Sequence, residues 1–139
     1  MVGLMDNPEN VLEVGAGTQE LKKHLDCDYV SCDFEPEFRP DVVGDARYLP
    51  FRNNAFDTVV TKNVLQHVPD WRKALREILR VGENVLLAER VWNEPTRVIS
   101  ETPVLRRRFN PQDLLDEIGD AEFKISESDD RLGLFHKKK

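Results

Sequence analysis

Two glycines, a handful of acids and one histidine carry most of the chemistry this chain can do. Residues 11 to 18 read Val-Leu-Glu-Val-Gly-Ala-Gly-Thr, a short apolar run ending in a glycine turn, with a helical pattern after it. That is how a parallel strand hands over to a helix at the ligand edge of an α/β sheet. Gly15 and Gly17 can take backbone angles that other residues avoid, and without a Cβ they let a ligand lie against the chain. A pyrophosphate-binding turn would have a third glycine at position 20, where the helix begins. Glu20 stands there instead, and Glu13 lies just before the turn. Two carboxylates repel a phosphate and suit a ligand that is cationic at this end. This segment therefore reads as a site for a nucleoside-type ligand without phosphates.

A second acid follows at the expected distance. Tyr29-Val30-Ser31-Cys32 reads as a strand ending in Asp33, twenty residues after Glu13 (33 − 13). An acid there can accept hydrogen bonds from both hydroxyls of a ribose. Farther on come Gly44-Asp45-Ala46-Arg47-Tyr48-Leu49-Pro50-Phe51, then Phe56-Asp57-Thr58-Val59-Val60, then Leu65-Gln66-His67-Val68-Pro69-Asp70. Taken with the glycine turn and Asp33, these five motifs in this order resemble the class I S-adenosylmethionine-dependent methyltransferases, closest to the small-molecule branch called methyltransferase type 11. The resemblance runs from about Val11 to Arg80, with a weaker echo at Arg108 to Leu115. It implies an α/β fold: a Rossmann-like, seven-stranded, mostly parallel sheet with helices on both faces and a C-terminal antiparallel hairpin.

The resemblance also implies roles. Gly15 and Gly17 would shape the turn under the methionine part of S-adenosyl-L-methionine, and Glu13 would hold its ammonium group. Asp33 would take the ribose hydroxyls, Asp45 the adenine amino group, and the Ala46 backbone N–H a ring nitrogen. Charge-assisted pairs of this kind are worth roughly 1–3 kcal/mol each. Asp33 and Asp45 could instead be plain loop acids or helix caps.

The acceptor should lie over the ends of strands four and five. Lys62, Asn63 and His67 would form one wall there, and Glu89, Arg90, Trp92 and Asn93 another. His67 is a candidate general base, or else a packing histidine of the scaffold. The segment from Val91 to Arg108 reads as a lid, and its Arg106-Arg107-Arg108 as an anion site or solvated surface. Thr61-Lys62-Asn63-Val64 replaces the Asn/Asp-Pro-Pro-Tyr/Phe that serves exocyclic amino methylation of bases, and no Pro-Cys nucleophile is present. What remains is methyl transfer to an O or N atom of a small molecule, which is favoured, or of a protein or RNA group that presents itself to an open site. Positioning alone can carry much of such an in-line displacement. Two alternatives stand beside it. One is a non-catalytic binding or regulatory subunit on the same fold. The other is a nicotinamide-dependent enzyme, against which Glu20 and Asp45 argue.

Composition fits one domain over residues 1–139. No apolar run approaches the length of a membrane span, and the N-terminus lacks the pattern of a signal peptide. Cys27 and Cys32 read as reduced thiols of a cytoplasmic protein, and His24, His67 and His136 show no metal-ligand spacing. Residues 1–69 hold 12 acids against 6 bases and residues 70–139 hold 14 of each, so the net charge of −6 sits in the cofactor half. Nucleic acid is an unlikely partner for such a chain.

Strands are expected at about 11–15, 29–33, 41–44, 56–61 and 85–88, and helices at 18–26, after Asp70 to about 80, and from Pro111 to near Gly119. Phe123–Ser126 and Leu132–Phe135, joined by Ser-Asp-Asp-Arg, suit a closing antiparallel pair. Asp6-Asn7-Pro8 reads as a turn, Val81-Gly82-Glu83-Asn84 as a short turn before strand five, and Lys137-Lys138-Lys139 as a frayed tail. Ten residues precede strand one, where an N-terminal helix usually covers the cofactor. A homodimer or hetero-partner is therefore expected to supply the cover.

Overall fold

The apolar runs become strands, the central ones buried on both faces. In the computed structural model, which describes residue 5, residues 7–126 and residues 131–139, they are β1 (Asn10–Val14), β2 (Asp28–Asp33), β3 (Val42–Val43), β4 (Phe56–Lys62) and β5 (Gly82–Arg90). Near the C-terminus follow β8 (Glu122–Ile125) and β9 (Leu132–Lys138). The seven form one sheet in the order β3-β2-β1-β4-β5-β9-β8, parallel except for β9, which runs antiparallel to both β5 and β8. Registers are regular, with Val14 opposite Cys32 and Thr61 on either side of β1. Strand order reverses between β1 and β4, which opens a crevice beyond their carboxyl ends. Asp6 and residues 128–130 of the expected turn and connection lie outside the described residues.

Two α-helices pack on one face of the sheet. In α1 (Trp71–Val81), Trp71, Ala74, Leu75, Ile78 and Val81 recur at helical spacing and are all buried, and Asp70 caps the start by accepting from Lys73 N–H at 3.2 Å. In α2 (Pro111–Ile118), Asn110 accepts from Gln112 N–H at 3.0 Å, Pro111 occupies the first turn, and Gly119 at φ 85° ends the helix. Both helices share a core with Leu12, Val14, Val59, Val85, Leu87 and Phe135. Each such side chain contributes about 1.5–3 kcal/mol by leaving water. On the opposite face, Val11, Val60 and Leu86 are covered by Met5, Leu21, Leu25 and Tyr29.

Three local expectations are corrected, and the segment expected as a lid gains an internal structure. Residues 18–26 give only a 3-10 turn at Glu20–His24, with Gln19 left-handed and no residue of the turn buried. Leu21 and Leu25 are the segment's apolar anchors, and two residues do not offset the cost of nucleating a helix. The turn at Val81–Asn84 does not form: α1 runs directly into β5 at Gly82. A Cβ on Gly82 would stand 2.6 Å from Val59 Cγ2, so glycine permits that close approach to β4. The expected lid holds an antiparallel hairpin, β6 (Arg97–Ser100) with β7 (Arg106–Arg108), which forms a separate sheet. Finally, the lysine tail is not frayed. Lys137 and Lys138 belong to β9, Lys137 Nζ donates to Ile118 O at 2.8 Å, and Lys139 Nζ donates to Leu79 O at 2.8 Å.

Candidate functional site

The turn after β1 is built from backbone. Gly15 at φ 70° donates its N–H to Cys32 O at 2.8 Å, and Ala16 N–H reaches the same carbonyl at 3.3 Å. Gly17, at φ 51°, donates to Asp33 Oδ2 at 2.9 Å. A Cβ on Gly15 would meet Val64 Cγ2 at 2.2 Å, so this position fixes how closely the β1 and β4 turns approach. A Cβ on Gly17 would meet nothing within 4 Å, which leaves open space beside the chain. One glycine is needed for packing and the other borders the space a ligand needs.

Asp33 ends β2 and is 9% exposed. Its Oδ1 accepts from Glu35 N–H at 2.9 Å, so each carboxylate oxygen holds one backbone donor and keeps a lone pair for another. Its carbonyl accepts from Gly44 N–H at 3.0 Å, which draws the Gly44-Asp45-Ala46 turn alongside. Asp45 is gripped by Arg47, whose Nη2 donates to Oδ2 at 2.8 Å and whose Nε donates to Oδ1 at 3.1 Å. That guanidinium holds the Asp45 carboxyl below its ordinary range. Cys32 lies between these acids, and burial pushes its thiol up to about 11, so it stays protonated and is no nucleophile at neutral pH.

The turn after β4 supplies the facing wall. Asn63 is left-handed at φ 57°, donates its N–H to Ala88 O at 2.8 Å, and carries a buried Oδ1 without a protein partner. A one-turn 3-10 helix, Leu65–His67, follows. His67 Nδ1 lies 2.6 Å from Leu105 O. A carbonyl only accepts, so this nitrogen is the donor, and in the neutral form of the ring Nε2 holds the lone pair. Glu89 is fully buried beneath the turn, where burial pushes its carboxyl up to about 8 while three backbone N–H donors pull it down.

These residues border one cleft of about 510 Å³. Gly15, Gly17, Asp33, Asp45 and Ala46 line one side, and Asn63 and His67 line the other. Phe34, Phe38 and Val104 form an apolar mouth and are 68%, 44% and 51% exposed. Acceptors able to meet a ribose and an amino group thus share one cleft with the His67 imidazole.

Five of the expected site residues, Glu13, Glu89, Arg90, Trp92 and Asn93, stand outside this lining. Glu13 alternates with Leu12 and Val14, so its side chain takes the other sheet face, where its carboxyl accepts from the Tyr29 hydroxyl at 2.6 Å. Burial raises the Glu13 carboxyl above its ordinary range. Arg90 ends β5 away from the cleft lining. Trp92 lies just before the hairpin, with the Arg97 and Arg108 guanidiniums 4.9 and 5.5 Å from its ring centre and Nε1 donating to Pro95 O at 3.2 Å. The sequence reading missed Phe34 and Phe38, which carry no polar motif, whereas Val104 falls within the expected Val91–Arg108 segment.

Comparison with known proteins identifies the family and the fold. The family described as Methyltransferase domain matches residues 12–84. A demethylmenaquinone methyltransferase of Paenarthrobacter aurescens is 37% identical over 97 residues, which cover 58% of this chain and 38% of that protein. The chain thus spans well under two thirds of the length of such relatives. A methyltransferase structure from Methanosarcina mazei, described as SAM-dependent, aligns with a TM-score of 0.75 and 16% identity over 99% of this chain and 95% of that one. A 1,6-didemethyltoxoflavin-N1-methyltransferase from Burkholderia thailandensis, with 1,6-didemethyltoxoflavin and S-adenosylhomocysteine bound, aligns at 0.71 and 16% over 95% and 72%.

Proposed function

The chain belongs to the methyltransferase domain family, and on that premise we propose that it moves a methyl group from S-adenosyl-L-methionine to an O or N atom of a small-molecule acceptor. One observation carries this reading: Gly15, Gly17, Asp33, Asp45 and Ala46 converge on one side of a cleft whose other side presents His67. The residues fit the cofactor, since Gly17 borders open space and both Asp33 oxygens keep a lone pair. Asp33 would hold the ribose hydroxyls and Asp45, once released by Arg47, the adenine amino group. Bound there, the cofactor supplies a methyl group activated by a sulfonium. The chain's own work is to orient the acceptor, exclude water through Phe34, Phe38 and Val104, and receive the acceptor's proton at His67 Nε2. Glu13 is turned to the other face, so Asn63 Oδ1 is the better placed acceptor for the ammonium end.

A small acceptor is supported by the names of the relatives, several of which specify a small molecule. The exposed mouth supports the expected homodimer or hetero-partner, and sedimentation showing a monomer that holds its ligand tightly refutes the need for one. No helix among the described residues is long and apolar enough to cross a membrane. Calorimetry with S-adenosylhomocysteine and NAD tests the cofactor: binding of the first and not the second is expected. Transfer of labelled methyl to candidate phenols and amines tests the reaction. Tight S-adenosylhomocysteine binding with no transfer would favour a non-catalytic subunit.

A further inference from the structure

The turn that carries His67 is gripped from both ends by residues the reaction does not use directly. At its start, Glu89 Oε2 accepts from Val64 N–H at 2.9 Å and Leu65 N–H at 3.2 Å, and Oε1 accepts from Gln66 N–H at 3.1 Å. At its end, the Arg107 guanidinium donates to Val68 O at 2.6 Å, Pro69 O at 3.3 Å and Leu65 O at 3.5 Å. An acceptor thus meets the unpaired N–H groups of the turn and a donor meets its unpaired carbonyls. A single 3-10 turn has no stability of its own, so these partners fix where it sits. Arg107 also ties the hairpin to the turn, and Leu105, which receives the His67 Nδ1–H, lies two residues before it.

We propose that Glu89 and Arg107 are positioning residues that hold His67 in the Nδ1–H tautomer, so that the Nε2 lone pair faces its task ready-made. The proposal rests on the reading of His67 as the base. A neutral imidazole in water exchanges its proton freely between the two nitrogens, and only a fixed acceptor selects one form. The Leu105 carbonyl is that acceptor, and it stays in reach only while hairpin and turn keep their register. A slip of about an ångström lengthens the bond beyond useful range.

The test reads the ring directly. In protein carrying isotope-labelled histidine, NMR at a pH where the ring is neutral reports which nitrogen is protonated, and His67→Asn identifies its signals among the three histidines. Wild type should show one form, with Nδ1 protonated and Nε2 bare. Arg107→Met and Glu89→Leu should each give averaged signals, and Glu89→Gln, which keeps one acceptor oxygen, an intermediate pattern. S-adenosylhomocysteine affinity should stay within about threefold in Arg107→Met, whose contacts with Val68 and Pro69 lie at the end of the turn away from Asn63. A single wild-type tautomer retained in Arg107→Met or in Glu89→Leu overturns the role of that residue, and averaged signals in wild type overturn both. Should Glu89→Leu fail to fold, Arg107→Met decides alone. Wild type that binds no S-adenosylhomocysteine refutes the proposed function, whereas the ring signals judge the positioning separately.

Discussion

Replacing Asp33 by alanine should weaken S-adenosylhomocysteine binding by at least tenfold. The carboxylate already accepts from Gly17 and Glu35 N–H, both at 2.9 Å, and offers one further lone pair on each oxygen. Two ribose hydroxyls bonded there would gain about 1.5–3 kcal/mol each, as bonds to a charged group do. Water entering the space left by the side chain recovers part of this. A floor of one such bond, about 1.4 kcal/mol, corresponds to a factor of ten. The variant also frees the Gly17 N–H, so the protein itself should lose about 1–3 kcal/mol of stability. Calorimetry at a temperature where circular dichroism shows both proteins folded separates the two effects. A second ligand pair isolates the hydroxyls: wild type should prefer adenosine to 2′-deoxyadenosine, and Asp33→Ala should not. Equal S-adenosylhomocysteine affinity in the two proteins, or an unchanged preference between the nucleosides, refutes the assignment of Asp33 to the ribose.

Gly15→Ala should destabilise the fold by about 2–4 kcal/mol in urea melts, from a left-handed φ and a Cβ placed 2.2 Å from Val64 Cγ2. Gly17→Ala meets no neighbour and should cost only about 1 kcal/mol of strain, with its main effect on ligand affinity. Leu75, fully buried in α1, should cost about 2–5 kcal/mol as alanine, seen as a lower denaturation midpoint. Glu89 has a folded-state pKa raised from 4.5 to about 8, so the native state binds its proton more tightly than the unfolded chain does. Its contribution is therefore complete below pH 4.5 and drains away as pH rises through about 8. The stability of wild type relative to Glu89→Gln should fall across that window, and a difference independent of pH refutes the buried, proton-holding carboxyl.

The parallel strands were readable because burial on both faces forces unbroken apolar runs, as in Val85 to Ala88, and glycines punctuate their ends. Asp33, Asp45 and the glycine turn were readable for a related reason: the sheet order converts their spacing along the chain into proximity. For Glu13 the motif fixes the position while strand parity fixes the direction, and parity points it at Tyr29 and outside the cleft lining. Trp92 looked like part of the acceptor wall, but nothing local reveals that the Arg97 and Arg108 guanidiniums lie against its ring. The lysines at the end read as a tail on composition alone. Their strand pairing with β5 is a contact between distant parts of the chain, and no short-range pattern encodes it.

That late pairing governs how the molecule is made. β8 reaches the sheet only through β9, and β9 is also the partner that closes the far edge of β5. While the chain is being synthesised, β1 to β5 can assemble in sequence, each against a neighbour already present. The edge of β5 has no partner until residues 132–138 have left the ribosome, and β8, although translated earlier, has nowhere to dock until then. The nascent protein therefore passes through a state with one long, unpaired, apolar strand edge, the kind that recruits other chains. Stalled or prematurely terminated products lacking β9 should be the species that aggregate and engage chaperones.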